Sequence, residues 1–377
     1  MILAGLYIHI PFCKQACYYC DFHFSTNPTY RSQLVDCIAR EIAIQKTFLD
    51  HELISTIYFG GGTPSIIGAE DLHKIMASIY QNFKIDSSPE ITLEANPDDL
   101  SAEKLRDLKK LGINRLSIGV QSFNDKTLSF LHRAHDSTEA INSIRNARKA
   151  GFNNISIDLI FSIPGQKMDE LDGDIKQVLE LNPEHVSVYS LTIEEKTVFG
   201  NWHKKGKFRL VSDDKSAKQF DLIISRLEDN DFEQYEISNF CRDRNYSRHN
   251  TSYWKNIKYL GVGPGAHSYN GVSRQFNLSN NHKYMKSIYE GAPVYEIDQL
   301  SEKDRLNELL LTSLRTKWGC DLINLKKRFN VDILEIHHEK IDYLQNQSLV
   351  YLEGNFLYLT RRGRFVADEI ISDLFIL

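Results

Sequence analysis

Three cysteines share the short stretch CKQACYYCDF, residues 13–22, which closes the first predicted β-strand. Cys13, Cys17 and Cys20 stand four and then three residues apart, so their thiolates can surround one metal cluster. A cubane [4Fe-4S] cluster has four irons, and three thiolates leave one of them without a protein ligand. A small molecule can chelate that open iron. We therefore expect the chain to be organised around an iron-sulfur site in this loop.

His23 leaves a second interpretation of the loop open. It follows Cys20 by three residues, and three cysteines with one histidine form a common tetrahedral zinc site. The spacing alone does not decide between zinc and a cluster. The other three cysteines, Cys37, Cys241 and Cys320, are isolated in the sequence and are expected to be structural.

Length and composition are those of an ordinary globular protein. The 377 residues suffice for one domain of about 200–250 residues and one or two smaller ones. A net charge of -5 argues against a general nucleic-acid binder. The N-terminus lacks the basic region of a signal peptide and an apolar run long enough to span a membrane. Together with the clustered cysteines, this predicts a cytoplasmic protein in a reducing compartment.

Strand-like and helix-like stretches alternate along the first half of the chain. This pattern predicts parallel strands with right-handed crossovers, in a wound sheet or a barrel of six units rather than the eight of a closed barrel. Functional side chains then belong at the carboxyl ends of the strands. The predicted strands span residues 6–12, 56–59, 90–94, 116–120, 155–161 and 185–190.

The second predicted strand runs into GGGTP, residues 60–64. Without a Cβ atom, glycine lets a ligand approach the backbone, whose polar groups can bond an ammonium or carboxylate group. The competing interpretation is a tight strand-to-helix turn, with Thr63 as the cap and Pro64 near the helix start.

Polar side chains accompany the next strands. Glu94 ends the third, where a carboxylate can accept bonds from two ribose hydroxyls, and Gln121 ends the fourth. Asp158 lies opposite the apolar face of the fifth strand, where a carboxylate needs a partner. Arg133 is a candidate partner, directly or through a bound ligand. A helix cap for Glu94 and a solvated charge for Arg133 are the competing interpretations.

Two later motifs combine aromatic, histidine and glycine residues. HNTSYW, residues 249–254, offers imidazole and phenolate groups that can ligate iron and rings that can stack on a flat molecule. The competing interpretation of this cluster is core packing. GVGPGAHSY, residues 261–269, is a stiff, turn-like stretch.

The C-terminal part has a different pattern. The pattern indicates a winged-helix arrangement. It consists of helices predicted near residues 302–314 and 332–344, a hairpin at 349–359 and a last helix. Residues 301–377 carry 11 lysines and arginines against 12 acidic residues, a net charge of -1 that is poor for contact with phosphates.

These motifs together resemble a known family over nearly the whole chain. The CxxxCxxC loop after a first strand is similar to that of the radical S-adenosylmethionine (SAM) enzymes. GGGTP, the Asp158 strand, GPGAHSY and HNxxYW extend the resemblance to the coproporphyrinogen III oxidase-like family, and HNxxYW is typical of its heme chaperone branch. The true oxidases have a longer N-terminal segment and a fourth cysteine, where this chain has Phe22.

The resemblance implies roles for particular residues. Cys13, Cys17 and Cys20 would hold a [4Fe-4S] cluster. Heme would bind at the HNxxYW element, through His249, Tyr253 and Trp254. The residues implied to contact SAM are Tyr7, Gly61, Gly62, Thr63, Glu94, Gln121, Arg133 and Asp158.

The implied fold is α/β, a partial (β/α)6 radical-SAM barrel with a smaller α+β, winged-helix-like C-terminal domain. The domains expected are the barrel with its cluster loop at 1–200, a family-specific extension at 201–299 and a HemN-type C-terminal domain at 300–377. The last would serve as a lid or docking surface over the barrel mouth.

The function implied is that of a heme chaperone, which receives heme and delivers it to an acceptor protein. The alternative is an oxygen-independent coproporphyrinogen III oxidase, and a zinc-stabilised winged-helix regulator is a third interpretation. The cofactors implied are a [4Fe-4S] cluster, SAM and heme. The implied partners are a heme or porphyrin ligand, an acceptor protein and an electron donor, with peripheral membrane contact but no transmembrane segment and no nucleic acid.

Overall fold

The computed structural model describes residues 3–376, and a mixed sheet of twelve strands forms its main part. Six parallel strands follow one another through this sheet in chain order. They are β1 (Leu3–Ile10), β2 (Leu53–Gly61), β3 (Ile85–Ala95), β4 (Arg115–Gln121), β5 (Ile155–Phe161) and β6 (His185–Ser190). The predicted six-unit α/β barrel is therefore confirmed, and its sheet stays open at both edges.

Helices connect these strands and cover the outer face of the sheet. In α2, for example, Leu72, Ile75, Met76 and Ile79 are buried, which is the spacing of one helical face. Against them lies the apolar row of the strands, including Ile8, Phe59 and Ile118. The helices are α1 (Arg31–Ile44), α2 (Ala69–Asn82), α3 (Ala102–Lys110), α4 (Asp125–Leu131), α5 (Ser137–Lys149) and α6 (Met168–Leu181).

The inner face of the same sheet is polar. Side chains on alternate positions of β2 to β6 line the interior instead of packing on helices. They include Tyr58, Glu94, Ser117, Asp158 and Ser187. This polar row, which we call the lumen row, makes the inside of the barrel a place for a ligand rather than a packed core.

The segment predicted as an extension, residues 201–299, adds strands to both edges of the barrel sheet. β9 pairs in parallel with β1, and the short strand β8 pairs with β6. The elements from β6 onward are α7 (Val198–Lys204), α8 (Asp213–Glu228), β7 (Glu233–Gln234), β8 (Asn239–Cys241), α9 (Arg248–Trp254), β9 (Tyr259–Val262), β10 (His267–Tyr269), β11 (Ser273–Asn277), α10 (Asn281–Glu290) and β12 (Tyr295–Gln299).

The C-terminal residues form a small unit with its own apolar core around Leu310, Leu325 and Leu357. Helices and a three-stranded antiparallel sheet alternate as in a winged helix, and the predicted helix 332–344 is interrupted at His337. The elements are α11 (Glu302–Leu314), β13 (Cys320–Asp321), α12 (Leu322–Phe329), α13 (Ile333–Ile336), α14 (His338–Asn346), β14 (Val350–Glu353), β15 (Phe356–Leu359), α15 (Arg361–Arg364) and α16 (Ala367–Asp373).

Within residues 3–376, no helix is both long and apolar enough to cross a membrane.

Candidate functional site

A cavity of about 530 Å³ opens at the carboxyl ends of the parallel strands and continues down along the lumen row. This position is where ligands bind in barrels of parallel strands, and the volume lies in the range of small-molecule sites. The structure brings ten of the predicted site residues to its wall: Cys13, Cys17, Cys20, Gly61, Gly62, Thr63, Glu94, Gln121, Arg133 and Asp158. Tyr7, His249, Tyr253 and Trp254 lie outside the lining of this cavity.

The three thiols of the loop share one end of the cavity and meet polar groups there. The Thr63 hydroxyl donates to Cys13 Sγ at 3.3 Å, and Arg133 Nη1 donates to Cys17 Sγ at the same distance. Burial raises the pKa of Cys13, and burial with the neighbouring thiols raises that of Cys20 to about 12. Three thiolates this close are stable only with a cation between them, so the donor set fits a cluster with a positively charged iron core.

The zinc interpretation does not fit this arrangement. This interpretation requires His23 as the fourth ligand. The His23 Nε2 atom instead lies 2.7 Å from Asn281 Oδ1 in α10. The loop geometry therefore favours the cluster over a mononuclear site.

The cysteine loop is held in place by the turn that follows α4. Gln15 Nε2 donates to the His132 carbonyl at 2.9 Å, and His132 Nδ1 lies 2.8 Å from the Ala16 carbonyl. The Tyr18 ring stacks on the His132 ring with centroids 4.2 Å apart and planes 4° from parallel. His132 adopts a left-handed conformation, φ 59°, at the C-cap of α4. Sequence reasoning missed this residue, because nothing in a single histidine signals a contact with a loop more than 100 positions earlier.

The stretch 199–209 also belongs to this support. It contains most of α7, in which Phe199 is fully buried and its N–H donates to the Tyr18 carbonyl at 3.0 Å. Trp202 meets the Tyr18 ring edge-on at 5.0 Å. The lysines around these aromatic residues hide their apolar face in the sequence.

Glu94 sits between two donors at the end of β3. The Tyr58 hydroxyl donates to Oε1 at 2.7 Å and the Gly61 N–H donates to Oε2 at 3.2 Å. Gly61 has φ 112°, a conformation that favours glycine, and a Cβ atom there would collide with the His9 ring. Burial raises the pKa of Glu94 to about 7, and the negative charge of Asp158 adds to the shift. The carboxylate keeps lone pairs for further donors such as ribose hydroxyls.

Asp158 and Arg133 line the same cavity but do not bond each other, so the direct pairing predicted for them is wrong. Asp158 accepts from Ser117 Oγ at 3.0 Å and from Ser156 Oγ at 3.1 Å. Burial raises the pKa of Asp158, and the serine hydroxyls limit the increase. Arg133 Nη2 instead donates to the Asn96 side chain at 2.8 Å and to the Gly119 carbonyl at 2.7 Å. The serines at alternate positions of β4 and β5 supply the partners that sequence reasoning assigned to the arginine.

His249 does not present a free ring nitrogen. Nδ1 lies 2.8 Å from Thr56 Oγ1, and Nε2 lies 2.7 Å from the Tyr253 hydroxyl. The side chain is buried against the Tyr58 ring, and burial lowers its pKa to about 3. Ligation of iron by this histidine would require one of the two bonds to break. Both ring nitrogens are engaged in this arrangement, and the assignment of His249 to heme stays a prediction.

Tyr7 belongs to the same buried aromatic layer. Its ring lies 6.1 Å from that of Tyr58 and 6.4 Å from that of His249, and its hydroxyl is 3.2 Å from His9 Nδ1. It supports the wall of the cavity from behind Gly60, where a Cβ atom would meet the Tyr7 ring at 2.9 Å.

The environment of Glu94 predicts how SAM binding should depend on pH. If Glu94 accepts the ribose hydroxyls, only the ionised form accepts at both oxygens, so affinity should rise as pH passes upward through the pKa of about 7. We expect SAM affinity to fall about tenfold between roughly pH 8 and pH 6. Calorimetric titration of the cluster-containing protein measures this. Glu94→Gln is the matched control and should give a flat, weaker profile; a flat profile for the unaltered protein would remove Glu94 from the site.

Comparison with known proteins agrees with this geometry. The sequence model of the Radical SAM superfamily matches residues 7–178, and that of the HemN C-terminal domain matches residues 300–366. A solved structure of coproporphyrinogen III oxidase (HemN) from Escherichia coli superposes with a TM-score of 0.85 at 22% identity, covering 98% of this chain and 89% of that chain. This likeness establishes the fold.

Similarity in sequence extends over the whole length of curated relatives. The protein named heme chaperone HemW from Lactococcus lactis is 36% identical over 366 residues, covering 97% of this chain and 96% of that protein. The protein of the same name from Bacillus subtilis is 36% identical over 375 residues, covering 98% of both. The chain belongs to the HemW family of radical SAM proteins.

Proposed function

We propose that this chain is a heme chaperone, which binds heme on a radical-SAM scaffold and transfers it to an acceptor protein. The observation that carries the proposal is the full-length similarity to proteins named heme chaperone HemW. The same proposal includes an electron donor, an acceptor protein, a cytoplasmic location and peripheral contact with a membrane.

The residues of the cavity fit the two cofactors of this superfamily. Cys13, Cys17 and Cys20 would hold a [4Fe-4S] cluster, whose open iron SAM could chelate and which would supply the electron for SAM chemistry. Arg133 would stabilise negative charge at Cys17, with which it already shares a hydrogen bond. The residues proposed to contact SAM are Gly61, Gly62, Thr63, Glu94, Gln121, Arg133 and Asp158, with Tyr7 supporting them.

The mouth of the cavity offers an apolar surface for a flat ring. Phe22 and Phe24 line it together with Tyr19, and Phe22 is 69% exposed. Aromatic rings stack favourably on flat molecules, so this exposed side chain can pack on one. Phe22 also stands at the position of the fourth cysteine of the true oxidases. The mouth therefore suits the holding of a porphyrin ring.

The alternative function is the decarboxylation of coproporphyrinogen III. Two assays on one protein preparation distinguish it from the proposed function. Anaerobic protein with a reconstituted cluster is loaded with heme and mixed with an excess of a heme-free acceptor, and the acceptor's heme spectrum is followed. A second portion receives coproporphyrinogen III, SAM and a reductant. We expect transfer to the acceptor and no vinyl product. Formation of the divinyl product without transfer would favour the oxidase and overturn the chaperone.

A further inference from the structure

The cysteine loop, residues 13–20, contains neither helix nor strand, and its own hydrogen bonds do little to shape it. Among its described backbone groups, one bond joins two residues of the loop, from the Cys20 N–H to the Cys17 carbonyl at 3.3 Å. A loop without further support loses conformational entropy when its three thiolates converge on one cluster. Other parts of the fold must therefore hold the thiols together.

The turn after α4 supplies such support through its backbone. The Leu131 carbonyl accepts the Tyr18 N–H at 3.2 Å, and the next carbonyl, that of His132, accepts from Gln15 Nε2 at 2.9 Å. These two acceptors are adjacent in the sequence, and they hold the loop before and after its middle thiol. The turn therefore fixes the path of the loop on both sides of Cys17.

The imidazole of His132 adds two contacts of its own. Its Nδ1 atom lies 2.8 Å from the Ala16 carbonyl, and because a carbonyl can only accept, Nδ1 carries the proton of this bond. Its ring stacks on the Tyr18 ring, with centroids 4.2 Å apart and planes 4° from parallel. Ala16 precedes Cys17 and Tyr18 follows it, so one side chain fixes both neighbours of the middle thiol.

The backbone of His132 is unusual for a histidine. Its φ of 59° and ψ of 52° are left-handed, a conformation that glycine adopts most easily and asparagine tolerates better than most other residues. Glycine would end α4 here with less strain. Only a residue with a side chain can reach the loop, however. The strained position thus indicates a role for the imidazole beyond capping the helix.

We propose that His132 is the positioning residue of the cysteine loop, which sets the separations of the three thiolates through Ala16 and Tyr18 and so determines how long a cluster stays bound. The inference deepens the proposed function and rests on its cluster assignment. Both contacts of the imidazole are with residues between the cysteines, so His132 acts on the ligands through the loop and is not itself a ligand. A loop held in the binding geometry loses less entropy when the cluster binds, and the cluster dissociates more slowly.

The test follows the loss of the cluster from full-length, anaerobically reconstituted protein after addition of an excess of an iron chelator, by visible absorbance and by iron content. His132→Gly keeps the left-handed backbone and removes both side-chain contacts, so we expect the cluster to be lost about tenfold faster. His132→Asn places its Nδ2 atom where the imidazole has Nδ1 and restores the donor to Ala16. It should lose the cluster about threefold more slowly than His132→Gly.

His51→Gly is the matched control. His51 is also a left-handed histidine, with φ 60°, but it is exposed in the turn before β2, at the amino ends of the parallel strands. Its replacement should leave the rate of cluster loss unchanged. Tyr18→Leu removes the stacking partner from the side of the loop, should also speed the loss, and keeps the proposal testable if His132→Gly does not fold.

Two kinds of failure can be told apart. Equal rates of cluster loss in the unaltered protein, His132→Gly and Tyr18→Leu, or an equal acceleration in His51→Gly, would overturn the positioning role alone. Failure of the unaltered protein to take up iron and sulfide would overturn the cluster assignment of the proposed function, and the positioning role with it.

Discussion

Replacing Cys17 with serine is expected to abolish the iron-sulfur cluster while the barrel still folds. The thiol is one of only three candidate ligands in the loop, so its loss leaves two irons without a protein ligand. Cys17 is only partly buried, and its contact is with Arg133 at the cavity rather than with the apolar core. Iron and sulfide content after anaerobic reconstitution, together with circular dichroism, measures the two outcomes separately.

The matched control is Cys320→Ala, which removes a thiol from the core of the C-terminal unit. It should keep a full complement of iron at a cost of about 1 kcal/mol in stability. A cluster of unchanged iron content in Cys17→Ser would show that these three cysteines are not the ligands.

Replacing Glu41 with leucine is expected to lower the free energy of unfolding by about 3–5 kcal/mol. Glu41 lies on α1, is fully buried and accepts three hydrogen bonds. The donors are the Tyr284 hydroxyl at 2.5 Å, the Asn277 amide at 2.7 Å and the Gly263 N–H at 2.8 Å. The substitution leaves all three donors buried without an acceptor. Because they come from the strands and helix beyond β9, the loss should loosen that edge of the sheet.

Chemical denaturation measures this effect, and Glu290→Leu is the control. Glu290 is exposed on α10 and makes an ion pair with Lys286 at 3.8 Å, so its replacement should change stability by no more than about 0.5 kcal/mol. An equally small change in Glu41→Leu would show that the buried carboxylate does not tie α1 to this edge.

The same residue gives stability a defined pH dependence. Burial raises the pKa of Glu41 from 4.5 to about 7 in the folded state. Protonation of this group therefore stabilises the fold fully below about pH 4.5, and the contribution is lost as pH rises through about 7. Glu41 therefore makes the free energy of unfolding depend on pH in this range. This pH dependence should be absent in Glu41→Gln.

The parallel core of the fold could be predicted because each of its strands is a local pattern. β5 and β6 have the predicted bounds, since residues 155–159 alternate and the apolar run continues to Phe161. β9 could not be found in this way. Its four residues pair with β1, which lies about 250 positions earlier, and only that pairing makes them a strand. The glycine-rich stretch around it was therefore interpreted as a turn.

The sequence allowed us to predict which residues line the candidate site but not which hydrogen-bond partners they have. The strand-end position placed Glu94 at the cavity, because the carboxyl ends of parallel strands share one edge. Alternation along the fifth strand placed Asp158 opposite its apolar face. Which donor each one meets depends on register between strands, as with Ser117 and Asp158.

The central claim, that this chain carries heme, is tested most directly by an anaerobic heme titration of the cluster-containing protein, followed through the Soret band. We expect saturation near one heme per chain, with bound heme that moves to an acceptor. A spectrum that changes linearly with added heme, without saturation, would contradict the claim.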